Sequence, residues 1–356
     1  MEVTGVAQKQ AWLDKVLPPV EQVRPGLWSV PVPLPDNPLR YVLVYVLEGP
    51  SGVTLIDAGW DTPEAWDALN AGLKTAGYAM TDVKGVLVTH MHHDHWGLAA
   101  RVREASGAWV GLHPEDARLI EERHLDPGGI ARAMIRQMAE HGVPEDVAGT
   151  LADASRQMLA MAGHAMPDLM LEDGTAPPVE GWDLRTVWTP GHSPGHVCFH
   201  DVKNGLLMSG DHVLPRITPA IGLFPRAHAD PLGAFFASLE KVRDLPVGEV
   251  LPAHEYRFAG LDSRVAALLA HHGDRLEEII KAIPDGTGSP AEAPTTWELA
   301  QELTWSRPWT EIQPFMRRTA MLETLAHLIV LEKTGRVART TGADPVRWTA
   351  VPVRAV

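Results

Sequence analysis

Behind the apolar run Gly85–Thr89 the chain sets four imidazoles and a carboxylate within six residues, His90-Met91-His92-His93-Asp94-His95. A short apolar run of that kind reads as a buried strand, so its end delivers these polar groups to the margin of a core. Neither imidazole nor carboxylate is stable there without partners. The chain must therefore fold so that something satisfies them. Imidazole nitrogen with carboxylate oxygen is a donor set suited to zinc and related divalent ions. Alternate residues of an extended loop can converge on one ion, which pairs His90 with His92 and leaves Asp94 and His95 to turn toward a second.

Three distant positions extend the set. His192 stands in the turn Thr189-Pro190-Gly191-His192-Ser193-Pro194-Gly195-His196, Asp211 in Ser209-Gly210-Asp211-His212, and His254 in Leu251-Pro252-Ala253-His254. Each follows an apolar run that reads as a strand: Leu184–Trp188, Leu206–Ser209 and Glu249–Leu251 respectively. Loops at strand ends are where a rigid scaffold presents functional side chains. Further strands are expected at Leu27–Val32, Tyr41–Leu47, Val53–Ile56, Ala108–Leu112 and Val197–Val202. Asp61-Thr62-Pro63-Glu64 opens a helix that carries Trp66, Leu69 and Leu73 on one face, and another helix is expected at Leu98–Ala105. Strands alternating with helices define an α/β core.

Two regions depart from that rhythm. Residues about 129–170 read as a helical insertion, with Ile130, Met134, Met138, Leu151, Met158, Leu159, Met161 and Met166 on amphipathic faces. Those methionines are either core filler or an adaptable apolar wall over a pocket. From Leu261 the pattern turns helical, at Ser263–Ile283, at Thr295–Leu303 with the capping box Thr295-Thr296-Trp297-Glu298, and at Gln313–Lys333. Gly335–Thr340 and Val346–Val351 then alternate like a hairpin. Two domains are expected, 1–260 and a winged-helix-like 261–356.

The set His90-x-His92-x-Asp94-His95, His192, Asp211 and His254 resembles the metallo-β-lactamase superfamily of dinuclear hydrolases. The resemblance covers roughly residues 26–260 and implies an αββα sandwich. It assigns His90, His92 and His192 to one metal ion, and Asp94, His95 and His254 to a second, with Asp211 bridging. Asp57, in Ile56-Asp57-Ala58-Gly59, resembles the carboxylate that orients a ligand imidazole, and otherwise reads as a turn aspartate. The bridging aspartate resembles the glyoxalase-II-like, lactonase, nuclease and thioesterase branches, whereas antibiotic-hydrolysing members use a cysteine or no protein bridge there. The helical tail resembles that of the lactamase-beta-like endoribonuclease and thioesterase branches, through His271-His272, Arg275-Leu276 and His327-Leu328.

Two divalent ions are thus implied, with zinc the first choice, although the same ligands accept iron, manganese or cobalt. The implied chemistry is attack by a bridging hydroxide, aimed by Asp94, on a thioester, ester or lactone of a small to medium acyl substrate. Arg216, Tyr256 and Arg257 are candidate contacts for a carboxylate or phosphate, each equally readable as a structural residue. The alternative is an endoribonuclease or phosphodiesterase, with Arg317, Arg318, Arg336, Arg339 and Arg347 on the nucleic acid. A net charge of −14 argues against such a partner and leaves the tail as a packing or homodimerisation unit. Cys198 is the only cysteine, which fits a reducing compartment, and the cytoplasm is expected. Met1–Trp12 has lysine and glutamines where an export signal would be apolar, and no apolar run reaches the roughly 18 residues of a membrane helix.

Overall fold

The computed structural model describes residues 1–151, 166–225, 229–284, 292–340 and 344–351. It divides into two compact units. The first comprises Met1–Glu121, Met161–Pro219 and Ala237–Ala266, and the second Glu122–Ala160, Ala220–Phe236 and Ala267–Val356.

Two sheets build the first unit. One runs in the order β2 (Glu21–Arg24), β3 (Leu27–Pro33), β4 (Tyr41–Gly49), β5 (Gly52–Ile56), β6 (Val83–Leu87), β7 (Trp109–Leu112) and β8 (Leu169–Met170). The other runs β1 (Glu2–Val3), β13 (Phe258–Ala259), β12 (Glu249–Pro252), β11 (Leu206–Gly210), β10 (Val197–Asp201) and β9 (Leu184–Trp188). Strands β2 to β5 pair antiparallel, and β5 to β8 pair parallel. Parallel neighbours need crossovers, which here carry the helices Pro63–Thr75 and Ala99–Ser106.

Strand β4 shows why the layers stack. Its side chains alternate between faces. Tyr41, Leu43, Tyr45 and Leu47 pack with Val197, Phe199, Leu206, Met208 and Leu251 of the second sheet. Val42, Val44 and Val46 pack the opposite way, against Ala65, Leu69 and Leu73 of one crossover helix and Leu98, Ala99 and Val102 around the other. A strand apolar on both faces is buried on both. The result is the αββα sandwich, with its active margin at the carboxyl ends of β5, β6, β9, β11 and β12.

The second unit joins the helix Pro127–Glu140 to the part of the helix Leu261–Ala282 that follows Ala266 and to the helices Thr296–Glu302 and Pro314–Lys333, followed by the antiparallel pair β14 (Val337–Arg339) and β15 (Trp348–Ala350). Three helices and a hairpin thus follow in the order expected, and the capping box forms as read: Thr295 Oγ1 accepts from the Glu298 N–H and Glu298 Oε2 from the Thr295 N–H. The region expected to insert into the catalytic domain instead clusters with the tail. Met138, Val143, Ala148 and Leu151 share one apolar core with Trp297, Ala300, Met321 and Leu322. The Trp297 N–H donates to the carbonyl of His141, and that of Val346 to Glu140. Met134 and Met138 are buried, so the described methionines of this helix are core filler and not an exposed wall. Met158, Leu159 and Met161 lie outside the described residues. No described helix is long and apolar enough to cross a membrane.

Candidate metal centre

Strand β6 delivers the His-rich segment to the sheet margin, but not as one extended loop. His92 is extended and caps a helical turn, His93–Trp96. That turn brings Asp94 and His95 into a second donor group while leaving the His95 ring 4.0 Å from that of His90, which is how six consecutive residues serve two adjoining groups. His93 stands off from the cluster, with its ring 5.9 Å from that of Trp60.

Hydrogen bonds at the back of the rings set which nitrogen faces the centre. Asp57, in a left-handed conformation at the end of β5, accepts the Thr89 N–H on Oδ1 and His95 Nδ1 on Oδ2, both at 2.8 Å. His254 Nδ1 lies 2.8 Å from the Tyr41 carbonyl, and the Tyr41 hydroxyl donates to the Glu255 carbonyl. A carbonyl or carboxylate oxygen can only accept, so both imidazoles donate from Nδ1 and point Nε2 inward, where a metal cation can take the place of a proton. His90 is anchored alike, with Nδ1 3.0 Å from Thr89 Oγ1.

The inward atoms converge. His90, His92 and His192 bring one donor atom each within 4.8 Å of one another, as do Asp94, His95 and His254. Asp211 divides its carboxylate between the groups: Oδ2 lies 3.4 Å from His192 Nε2, while Oδ1 lies 3.3 Å from His254 Nε2 and 3.6 Å from His95 Nε2. Asp94 Oδ2 stands 3.4 Å from His254 Nε2 and 3.6 Å from His95 Nε2. Two ligands on one tetrahedral ion, with bonds of about 2.0–2.1 Å, sit about 3.3 Å apart. These separations are long for hydrogen bonds and right for donors that share a cation.

The residues present fit divalent ions on a second count. His95 Nε2, His254 Nε2 and Asp211 Oδ1 are fully buried and have no hydrogen-bond partner among the described residues. Burial of such atoms is costly unless something pairs with them. The electrostatics agree. Burial opposes the charge on His254, yet the Asp211 and Asp94 carboxylates outweigh it and push the imidazole up to about 10. Asp211 is held well below the usual carboxylate range, against its burial, by His254 and His95. Burial, with the neighbouring histidines, pushes His90 and His92 down. The site thus draws positive charge to its carboxylates and keeps His90 and His92 neutral, with His90 Nε2 2.9 Å from His92 Nδ1.

Two further residues support the ligands, of which only His196 stood out in the sequence as a neighbour of the ligand turn. Asp116, fully buried, accepts the Met91 N–H and the Ser193 hydroxyl on Oδ2 and the Gly195 N–H on Oδ1, at 2.7–2.8 Å. It ties the loop carrying His90 and His92 to the turn carrying His192. The approach is so close that a Cβ on Gly195 would lie 2.6 Å from the Asp116 backbone nitrogen, which excludes a side chain there. His196 Nε2 accepts the Asp211 N–H at 3.1 Å, with Nδ1 2.8 Å from Thr189 Oγ1. Residue type and place beside the turn hinted at His196, and nothing local distinguished Asp116.

The expected substrate contacts fare differently. Tyr256 is 3% exposed and packs in the core between the sheets, so it is corrected to a packing residue. Arg257 is likewise structural, paired with Glu249 and Glu21. Arg216 is exposed, and its backbone N–H donates to Glu255. Cys198 is fully buried and burial pushes its thiol up to about 12, which makes it inert.

The sequence pattern of the metallo-beta-lactamase superfamily matches residues 37–254, and the chain belongs to that superfamily. It is a hydrolase of that superfamily, whose members usually bind divalent metal ions. The chain is 26% identical over 296 residues to the probable metallo-hydrolase YqjP of Bacillus subtilis (strain 168), covering 82% of this chain and 88% of that one. It is 25% identical over 274 residues to the atrochrysone carboxyl ACP thioesterase dmxR1 of Cryptosporiopsis sp. (strain 8999), covering 75% and 66%. The crystal structure of a metallo-beta-lactamase family protein from Thermus thermophilus matches with a TM-score of 0.79 at 34% identity, covering 93% of this chain and all of that one.

Proposed function

We propose that the protein hydrolyses a thioester, ester or lactone of a small to medium acyl substrate, using two divalent metal ions, zinc in the first instance. The observation that carries the reading is the divided carboxylate of Asp211, with one oxygen toward His192 and the other toward His95 and His254. Among the acyl substrates thioesters come first, because two of the similar proteins are atrochrysone carboxyl ACP thioesterases. When bound, the ions supply Lewis acidity and lower the pKa of a water from 15.7 toward about 7.

The chain's own residues do the rest. His90, His92 and His192 would hold one ion and Asp94, His95 and His254 the other. Asp94 has Oδ2 committed to the His95 and His254 side, and Oδ1 is left to accept a hydrogen bond from the attacking water and aim its lone pair at the acyl carbon. The water oxygen bonds to that carbon, the carbon–sulfur bond breaks with its electron pair on sulfur, and the water's proton passes by way of Asp94 to that sulfur, which leaves as the thiol. Asp57 fixes the ring of His95, and His196 fixes the backbone of Asp211, so both act by positioning.

Most of the arginines that would serve nucleic acid are engaged elsewhere. Arg336 pairs with Glu277, Arg339 with Glu332 and Arg347 with Glu298, and Arg317 donates to the carbonyls of Thr310 and Ile312, which leaves Arg318 alone of the five without a described partner and too enclosed for a polymer backbone. That supports an acyl substrate over RNA. The test is thiol release from a medium-chain acyl-thioester by the metal-loaded protein, run beside Asp94→Ala with equal metal content. Turnover in the wild type and its loss in the variant are expected. Near-normal turnover in the variant would remove the role of Asp94, and no release from either would overturn the thioester reading.

A further inference from the structure

Arg318, on the helix Pro314–Lys333 of the second unit, is 4% exposed, and its Nε and Nη1 are fully buried with no hydrogen-bond acceptor among the described residues. No described carboxylate forms an ion pair with it. Its neighbours are two rings, Phe224 with its centroid 5.6 Å from the guanidinium carbon and Phe315 at 5.8 Å. Aromatic faces attract a cation but accept none of its five N–H bonds. A guanidinium stays ionised, so this is a buried charge without a counter-charge among the described residues. Burial alone pushes it down, to about 10, which still leaves it positive at neutral pH.

The backbone that carries Phe224 is held in place. Both peptide groups that set Phe224 are clamped: the Leu223 N–H donates to the Leu322 carbonyl, and Gln137 Nε2 donates to the Leu223 carbonyl. Phe224 and Phe315 are each only half-buried and so offer apolar surface beside the guanidinium. A planar fork of donors matches a carboxylate or phosphate bidentately, and ring walls match an apolar tail.

We propose that Arg318, Phe224 and Phe315 form a binding site within the second unit for an oxyanion, carboxylate or phosphate monoester, carried on an apolar body. It stands on residues separate from the metal centre and does not depend on the acyl-hydrolase reading. The test is calorimetric titration of the full-length, metal-loaded protein with decanoate and with decyl phosphate, against decanol. At least one of the two anions binds, and decanol does not. Binding of decanoate alone identifies a carboxylate site, of decyl phosphate alone a phosphate site, and of both a site for either head. Arg318→Met weakens that binding at least tenfold at unchanged metal content, which separates it from anion binding at the metal centre. Arg318→Lys keeps the charge and loses the fork, so it weakens binding at least severalfold and carries the test where the Met variant does not fold. No binding of either anion to the wild type, or wild-type affinity in a folded variant, overturns the proposal.

Discussion

Asp57 accepts from three donors at once: the Thr89 N–H, the Thr89 hydroxyl and His95 Nδ1. An ionised carboxylate accepts at both oxygens, whereas an amide offers one acceptor and sets an NH2 against the remaining donor. Asp57→Asn is therefore expected to free the ring of His95 and lower metal affinity about 10- to 100-fold, the usual effect of losing such an orienting carboxylate. Competition with a chelator measures it, and unchanged affinity would show that Asp57 only shapes its turn. The ligand residues themselves were legible because residue type and strand-end position coincide at each of them. The use of Tyr256 was not, because a tyrosine beside a ligand reads the same whether its ring lies in a core or at a surface.

Loops from two different strands meet at Asp116, so its removal acts on elements and not on one side chain. Asp116→Ala strands the Met91 and Gly195 N–H groups and the Ser193 hydroxyl, in a place with little water to replace the carboxylate. At about 1–3 kcal/mol per buried unsatisfied group, a destabilisation on the order of 3 kcal/mol is expected, together with weaker metal binding, because His192 is no longer registered against His90. Denaturant midpoints of the metal-free variant and wild type separate the two effects, and equal midpoints would contradict the account. Asp116 follows Pro114-Glu115 in what reads as any acidic helix start. Its role depends on an approach to Gly195, 79 residues away, which no local pattern records. The packing of the insertion was hidden for the same reason: the apolar face of Pro127–Glu140 is visible in the sequence, but its partners Trp297 and Met321 are fixed only by the tertiary fold. The helix Val6–Asp14 was missed because it buries little apolar area, and one of its anchors is polar, Gln8 donating to Ser29 Oγ.

Across the whole molecule, the second unit imposes its own dependence on pH. His272 Nδ1 and His327 Nε2 lie 3.1 Å apart, both rings buried, and His327 Nδ1 donates to the Glu323 carbonyl. Burial pushes His327 down to about 4, against an unfolded value near 6.5. Below pH 6.5 the unfolded chain takes up a proton that the folded chain refuses until about pH 4. Stability therefore falls as pH drops through that window, by on the order of 3 kcal/mol for this residue. Urea unfolding between pH 7.5 and 5 should show a steeper loss in the wild type than in His327→Leu, and parallel curves would contradict the assignment.

The central claim is that seven side chains from four strand ends hold two ions through one shared carboxylate. Metal content per chain, measured on dialysed protein alongside Asp211→Ala, tests it most directly. The account predicts two divalent ions per wild-type chain and no more than one in the variant. One ion or none in the wild type, or two retained without the carboxylate of Asp211, would contradict it.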